Sequence, residues 1–408
     1  MKEVTLRSAV WYGDREMTIT FPDEWEVKVL AFEDRPKLSE DEMRAAFRSP
    51  VGTPSISELA KTREKAVLIA DDLTRPTPAS EVIPFILEEL KRGGIDEDAT
   101  LIMMGVGCHR QMRRDDLVKK LGEEAVRRIR TLCHELDSPC ASLGVTSRGT
   151  PVYVNKEVMA CDLKIGIGGT YPHSGAAFSG GAKIILPGVA SFDTIVHNHD
   201  HMKGGDHAGD PENELRLDIE EVAQKAGLDI SVLMVLSERR GISGLVVGDP
   251  VKAHRSASEM AKIAYQVAPV PDADIVVSNA YPFDIDSRYL RRGLWPLQRA
   301  KAGATKILVG AGTEGVGYHR LSILRAKRAR EKGETKQAEE RTVPKEAPKQ
   351  PEYLIFSEVV GPAEVREIHP NAVLYNSWEL LVDDLQSKYQ GRRPKVAVYS
   401  CASLQVPA

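Results

Sequence analysis

Between Tyr171 and His201 the chain reads YPHSGAAFSGGAKIILPGVASFDTIVHNHDH, which sets an imidazole, a glycine-flanked lysine and a histidine-rich run close together. His173 precedes Lys183 by ten positions and His199 follows it by sixteen, so a base, an amine nucleophile and a nitrogen ligand for a metal can share one pocket. Two further loops carry groups of the same kind. In Asp72-Leu73-Thr74-Arg75 the following Pro76 biases Arg75 towards extended backbone and puts its guanidinium on a loop. There it can grip a carboxylate or phosphate with two parallel hydrogen bonds, a surface pair with Asp72 being the alternative. Gly105-Val106-Gly107-Cys108-His109 places a second imidazole where glycines let a ligand approach, unless His109 is structural.

Two histidines on separate loops suit a reaction in which protons are handled on opposite faces of one substrate. Ser179-Gly180-Gly181-Ala182-Lys183 can cradle a phosphate through backbone amides, although it lacks the spacing of a P-loop. Lys183 is followed by Ile184-Ile185-Leu186, an apolar setting that favours a neutral, nucleophilic amine or simply holds the stem of a snorkelling lysine. The run His197-Asn198-His199-Asp200-His201 reads as the end of a helix begun near Ser191, with His197 and His201 on one face and His199 on another. HExxH is absent. Ligation by His199 alone, completed by a non-protein cofactor, stays open, and imidazole suits zinc, copper or nickel equally. Gly310-Ala311-Gly312-Thr313-Glu314-Gly315 matches GxGxxG, but no strand ending in an acidic residue follows at the right distance, so a turn is favoured over a nicotinamide site.

These loops need elements to hold them. Short β-branched runs alternate with amphipathic stretches: Val67 to Ala70 then Ala79 to Lys91, Thr100 to Met104 then Arg114 to Leu121, and Leu163 to Ile167 then a glycine-rich loop. The pattern predicts an α/β protein with mainly parallel sheet, whose motifs fall at the carboxyl edge where ligands bind. Ser39 and Glu42 form a capping box, and Gly93-Gly94 closes a helix ending near Lys91. Beyond Pro269 the sequence predicts strands Asp274 to Ser278, Thr305 to Val309, Tyr353 to Ser357 and Lys395 to Tyr399, and a helix from Trp378 to Lys388.

At 408 residues two α/β domains are expected, 1–268 for cofactor and catalysis and 269–408 closing the substrate site, with the active site in the cleft between them. The segment 325–350 is so rich in Lys, Arg and Glu that a solvated or mobile excursion is expected. Fifty-five basic against 59 acidic residues give no reason to expect nucleic acid or an anionic membrane. The N-terminus lacks the layout of an export signal, so the cytoplasm is expected. Five cysteines without a CxxC pair read as reduced thiols.

Taken in order and spacing, Asp72-x-Thr74-Arg75, Gly107-x-His109-Arg110, Pro172-His173, Ser179-Gly-Gly-x-Lys183, Leu186-Pro-Gly188 and His199 resemble the nickel-dependent lactate racemase family over most of the chain. Those enzymes carry a nickel-pincer nucleotide, a pyridinium thioamide/thiocarboxylate mononucleotide. The resemblance implies covalent attachment at Lys183, with Asp72, Thr74, Ser179, Gly180 and Gly181 around the cofactor and His199 as the nickel ligand. It implies His109 and His173 as the paired acid and base, Arg75 on the substrate carboxylate, and proteins for cofactor synthesis and nickel insertion as partners. It also implies that hydrogen leaves the hydroxyl-bearing carbon as hydride while one histidine takes the hydroxyl proton, and that hydride returns to the other face of the resulting 2-oxo acid. Where family members tend to have tyrosine, glutamine and lysine, this chain has Arg288, Tyr289 and Arg292. A racemase or epimerase for a 2-hydroxy acid larger or more anionic than lactate is therefore expected. The rivals are a NAD-dependent 2-hydroxy acid dehydrogenase and a non-catalytic metal- or nucleotide-binding homologue.

Overall fold

A computed structural model describes residues 1–33, 35–321, 323–325 and 351–408. The charged stretch expected at 325–350 lies, apart from Arg325, outside the described residues. The described residues divide into two compact units, one made of 35–264 with 319–321 and 323–325 and the other of 1–33, 265–318 and 351–408.

The unit containing 35–264 is built on a six-stranded sheet in the order Ile242–Gly248, Ile230–Leu236, Leu163–Gly169, Ala66–Asp71, Thr100–Gly105, Arg130–Cys133. Neighbours are parallel except for the first pair, which is antiparallel. Leu163–Gly169 and Ile230–Leu236 are buried at every position, as expected of sheet covered on both faces. From Ala66–Asp71 the chain builds outward through Thr100–Gly105 to Arg130–Cys133, then returns to add Leu163–Gly169 on the opposite side. The strand order thus reverses between Ala66–Asp71 and Leu163–Gly169, and such a switch point opens a crevice at the strands' carboxyl ends. The helix Ile83–Gly93 ends at Gly94 with φ +100°, and the helix Glu40–Arg48 starts with the Ser39/Glu42 capping box anticipated from sequence.

The other unit holds an all-parallel sheet ordered Ala372–Tyr375, Tyr353–Phe356, Thr305–Val309, Ile275–Asn279, Lys395–Tyr399, Glu26–Leu30. Residues 1–268 therefore do not form one piece. The N-terminal 33 residues belong with the C-terminal unit, because Glu26–Leu30 supplies that sheet's edge strand. The hairpin Lys2–Ser8/Arg15–Phe21 adds Leu6, Ile19 and Phe21 to a core shared with Trp25, Trp378 and Val398. The indole of Trp378 donates to Thr20 O at 2.8 Å. All five cysteines are free. Among the described residues no helix is long and apolar enough to cross a membrane.

Candidate active site

Three loops leave adjacent carboxyl ends of the first sheet, after Ala66–Asp71, Thr100–Gly105 and Leu163–Gly169, and they carry Asp72, Arg75, His109, His173 and Lys183. A solvent-open pocket with about 560 Å³ of empty space lies where they meet. Its lining brings together Asp72, Arg75, His109, Ser179, Gly180, Gly181 and Lys183, together with Asp71, Tyr171, Pro187 and Gly188.

Asp72 is 3% exposed. Its Oδ2 sits 2.5 Å from Nδ1 of His109, and its Oδ1 accepts from the Thr74 amide at 2.8 Å and from the Thr74 hydroxyl. Burial alone would raise this carboxyl, but the His109 ring, the Arg75 guanidinium and the Thr74 hydroxyl outweigh it and hold Asp72 well below the usual carboxylate range. An ionised Asp72 only accepts, so Nδ1 of His109 donates and Nε2 is the atom left to exchange a proton. Arg75 Nη1 donates to Thr74 Oγ1 at 2.7 Å, which closes a chain from guanidinium through hydroxyl and carboxylate to imidazole. Asp72 and Thr74, expected around a cofactor, thus also serve His109.

Beneath this loop lies Lys120, on the helix Arg114–Leu121, a residue the sequence did not single out. It is fully buried, pairs with Asp71 and donates to the carbonyls of Asp72 and Arg75 at 3.1 Å each. Burial lowers its pKa, and Asp71 opposes that. His319 was also missed. It makes a backbone bridge to His109, with ring centroids 5.3 Å apart. It follows Arg75 in the chain by more than two hundred residues, and no local pattern marks it.

The glycines of Ser179-Gly180-Gly181 are needed where they stand. Their φ values are +82° and +59°, and a β-carbon on Gly181 would come within 3.0 Å of the Arg216 guanidinium, His254 and Pro250. Arg216 is fully buried behind the loop, donates to Gly180 O at 3.1 Å and pairs with Glu220 at 2.8 Å. The Ser179 hydroxyl bonds the carbonyls of Gly169 and Tyr171, so its first duty is to shape the loop. Lys183 is half-buried on the short turn Gly181–Ile184.

His173 and His199 do not line the pocket. His173 is half-buried on a hairpin pairing Pro172–His173 with Ala177–Phe178, and its Nδ1 accepts from the Ala176 amide at 3.4 Å. His199 lies on the helix Phe192–His201, capped by Ser191 as expected. Its Nδ1 donates to Ile195 O at 2.9 Å, which leaves a lone pair on Nε2. His199 is exposed at its surface, yet the density of protein around the ring and, next to that, the Lys183 ammonium push its pKa down to about 4. The imidazole is therefore neutral and available as a ligand near neutral pH, within electrostatic reach of Lys183.

On the other unit, Arg288, Tyr289 and Arg292 cluster at the turn Tyr289–Gly293. All three are half-buried, and the Arg292 guanidinium stacks over the Phe283 ring at 4.1 Å. The GxGxxG loop on this unit is not an open phosphate cradle. The amides of Ala311, Gly312 and Glu314 donate to Asp284 Oδ2, Asp284 O and Ile285 O, and Gly315 O accepts from Ser287. The turn favoured from sequence is what forms.

A profile of the lactate racemase N-terminal domain matches residues 12–210. The chain is 32% identical over 305 residues to the lactate racemase of Lactiplantibacillus plantarum, covering 70% of each protein. It is 28% identical over 325 residues to the lactate racemase of Thermoanaerobacterium thermosaccharolyticum, covering 76% of each. In fold it matches the solved lactate racemase apoprotein of Thermoanaerobacterium thermosaccharolyticum over the whole of both chains, with a TM-score of 0.76 at 21% identity. A crystal structure from Thermotoga maritima matches with a TM-score of 0.63 at 17% identity, over 92% of this chain and 99% of that one. Fold and sequence together define an isomerase of the racemase class. The chain belongs to the lactate racemase family.

Proposed function

We propose that this protein racemises or epimerises a 2-hydroxy acid using a nickel-pincer nucleotide held by Lys183 and His199. The observation that carries the reading is the Asp72–His109 pair at 2.5 Å, in one pocket with Arg75 and Lys183. The residues fit such a group. Gly180 and Gly181 line the pocket beside Lys183, and His199 offers a neutral Nε2 with its other nitrogen already bonded. Among the described residues no cluster of three or more His, Cys, Asp or Glu can hold a metal, so a metal at His199 needs ligands from a non-protein group. The chemistry that group supplies is a reversible acceptor for the hydrogen on the hydroxyl-bearing carbon.

The chain's own residues do the rest. Arg75 binds the substrate carboxylate and, through Thr74, is tied to the carboxylate that orients His109. His109 presents Nε2 as the base that takes the hydroxyl proton, with Asp72 stabilising the imidazolium that results. His173, whose Nδ1 accepts from the backbone, carries its proton on Nε2 and is the acid for the opposite face. Opposite tautomers make one imidazole a ready acceptor and the other a ready donor. Arg288 and Arg292 favour an acid larger or more anionic than lactate, such as a dicarboxylate or sugar acid.

Co-expression with cofactor-synthesis and nickel-insertion proteins, followed by intact mass and metal analysis, tests the reading. Added mass and nickel are expected in the wild type and absent in Lys183→Ala. Loaded protein is then assayed for epimerisation of a panel of 2-hydroxy acids. Nickel-free protein of unmodified mass would overturn the cofactor, and activity confined to lactate would overturn the substrate class. Reversible binding of NAD by unmodified protein would favour a dehydrogenase, and full loading without turnover a binding homologue.

A further inference from the structure

The helix Phe192–His201 carries two imidazoles that the proposed reaction does not use. His197 and His201 are one turn apart on the same face, with ring centroids 4.6 Å apart and planes tilted by 49°. His201 is exposed and His197 half-buried. Nδ1 of His197 lies 3.0 Å from the Thr150 hydroxyl oxygen, which itself donates to Asp218 at 2.8 Å. Because the single hydroxyl proton of Thr150 goes to the carboxylate, its oxygen accepts from His197, and the lone pair of that ring lies on Nε2. Asp218 is fully buried and is held in turn by Thr146 and Asn198, each at 2.7 Å. A carboxylate behind an imidazole, here relayed through a hydroxyl, is the arrangement that orients metal-binding histidines and strengthens them as ligands.

We infer that His197 and His201 form a two-histidine site for a divalent transition-metal ion of the nickel, copper and zinc class. Each ring contributes one nitrogen, and water fills the other positions. Paired imidazoles on successive turns suit these metals over magnesium or calcium, which prefer oxygen. The site stands independently of the reading given to Lys183 and His199, since His199 lies on another face of the helix. With only two protein ligands the ion is exchangeable.

The test uses the full chain expressed without cofactor-synthesis proteins and titrated with nickel chloride by calorimetry, with metal content checked after equilibrium dialysis. One exchangeable nickel ion per chain is expected. His201→Ala, at an exposed position, weakens binding at least tenfold, and His199→Ala leaves it unchanged. Thr150→Val, which removes the hydroxyl relay and keeps the size, weakens it by a smaller factor. No nickel binding in the wild type, unchanged binding in His201→Ala, or its loss in His199→Ala would overturn the assignment.

Discussion

Asp72 is the residue on which most of the candidate site turns. Asp72→Asn keeps the size of the side chain but removes the charge that fixes the His109 tautomer and balances an imidazolium. The turnover of loaded enzyme is expected to fall by about 100-fold or more, within the range of general acid–base effects. KM should move little, and the acid limb of the pH–rate profile should shift to lower pH. An unchanged profile would mean that the pair is structural. The residue types of this site were legible in the chain, since imidazole, guanidinium and amine each announced their chemistry. Their partnerships were not. Asp72 and His109 are 37 positions apart and meet only because Ala66–Asp71 and Thr100–Gly105 are neighbouring parallel strands. Lys120 carries no local mark, and only the fold places it under the Arg75 loop.

At the level of elements, the loop Ser179 to Lys183 is held in its shape from behind. Gly181→Ala puts a methyl against Arg216, His254 and Pro250 in a left-handed backbone conformation. A cost of about 1 to 3 kcal/mol is expected, read as a lowered midpoint in urea unfolding, with loss of mass addition at Lys183 even in the fraction that folds. Elements with strong local signals were readable. The helices Arg114–Leu121 and Trp378–Lys388 and the strands Thr305–Val309 and Lys395–Tyr399 lie where the sequence places them. The GxGxxG motif shows the limit of local pattern, because its meaning depends on whether the amides face a ligand or the chain. Here acceptors of Asp284 and Ile285 occupy them.

For the molecule as a whole, stability should fall in mild acid. His134 is fully buried, accepts from Asn155 and donates to Ala190 O at 3.0 Å, and burial pushes its pKa down to about 4. His369, in the other unit, is likewise pushed down to about 4 by burial. An unfolded histidine titrates near 6.5, so between that pH and about 4 the unfolded chain binds protons that the folded one refuses. The stabilisation these groups share is complete above the unfolded value, declines as pH falls towards 4, and changes no further below it. Each contributes up to about 3 kcal/mol. Melting temperature measured from pH 7.5 to 4 should drop across that window, and His134→Gln should flatten the drop. Domain organisation was the least legible scale. Strand Glu26–Leu30 pairs with Lys395–Tyr399 across more than 360 residues, a distance at which no periodicity can speak. During synthesis that strand has no partner until Lys395–Tyr399 has left the ribosome, more than 360 residues later, whereas the sheet of the other unit is complete much sooner. A fragment starting at 265 would bare the flank of Lys395–Tyr399 and aggregate. Adding a peptide of residues 1–33 should restore its solubility, turning a birth-order problem into a split-protein reporter.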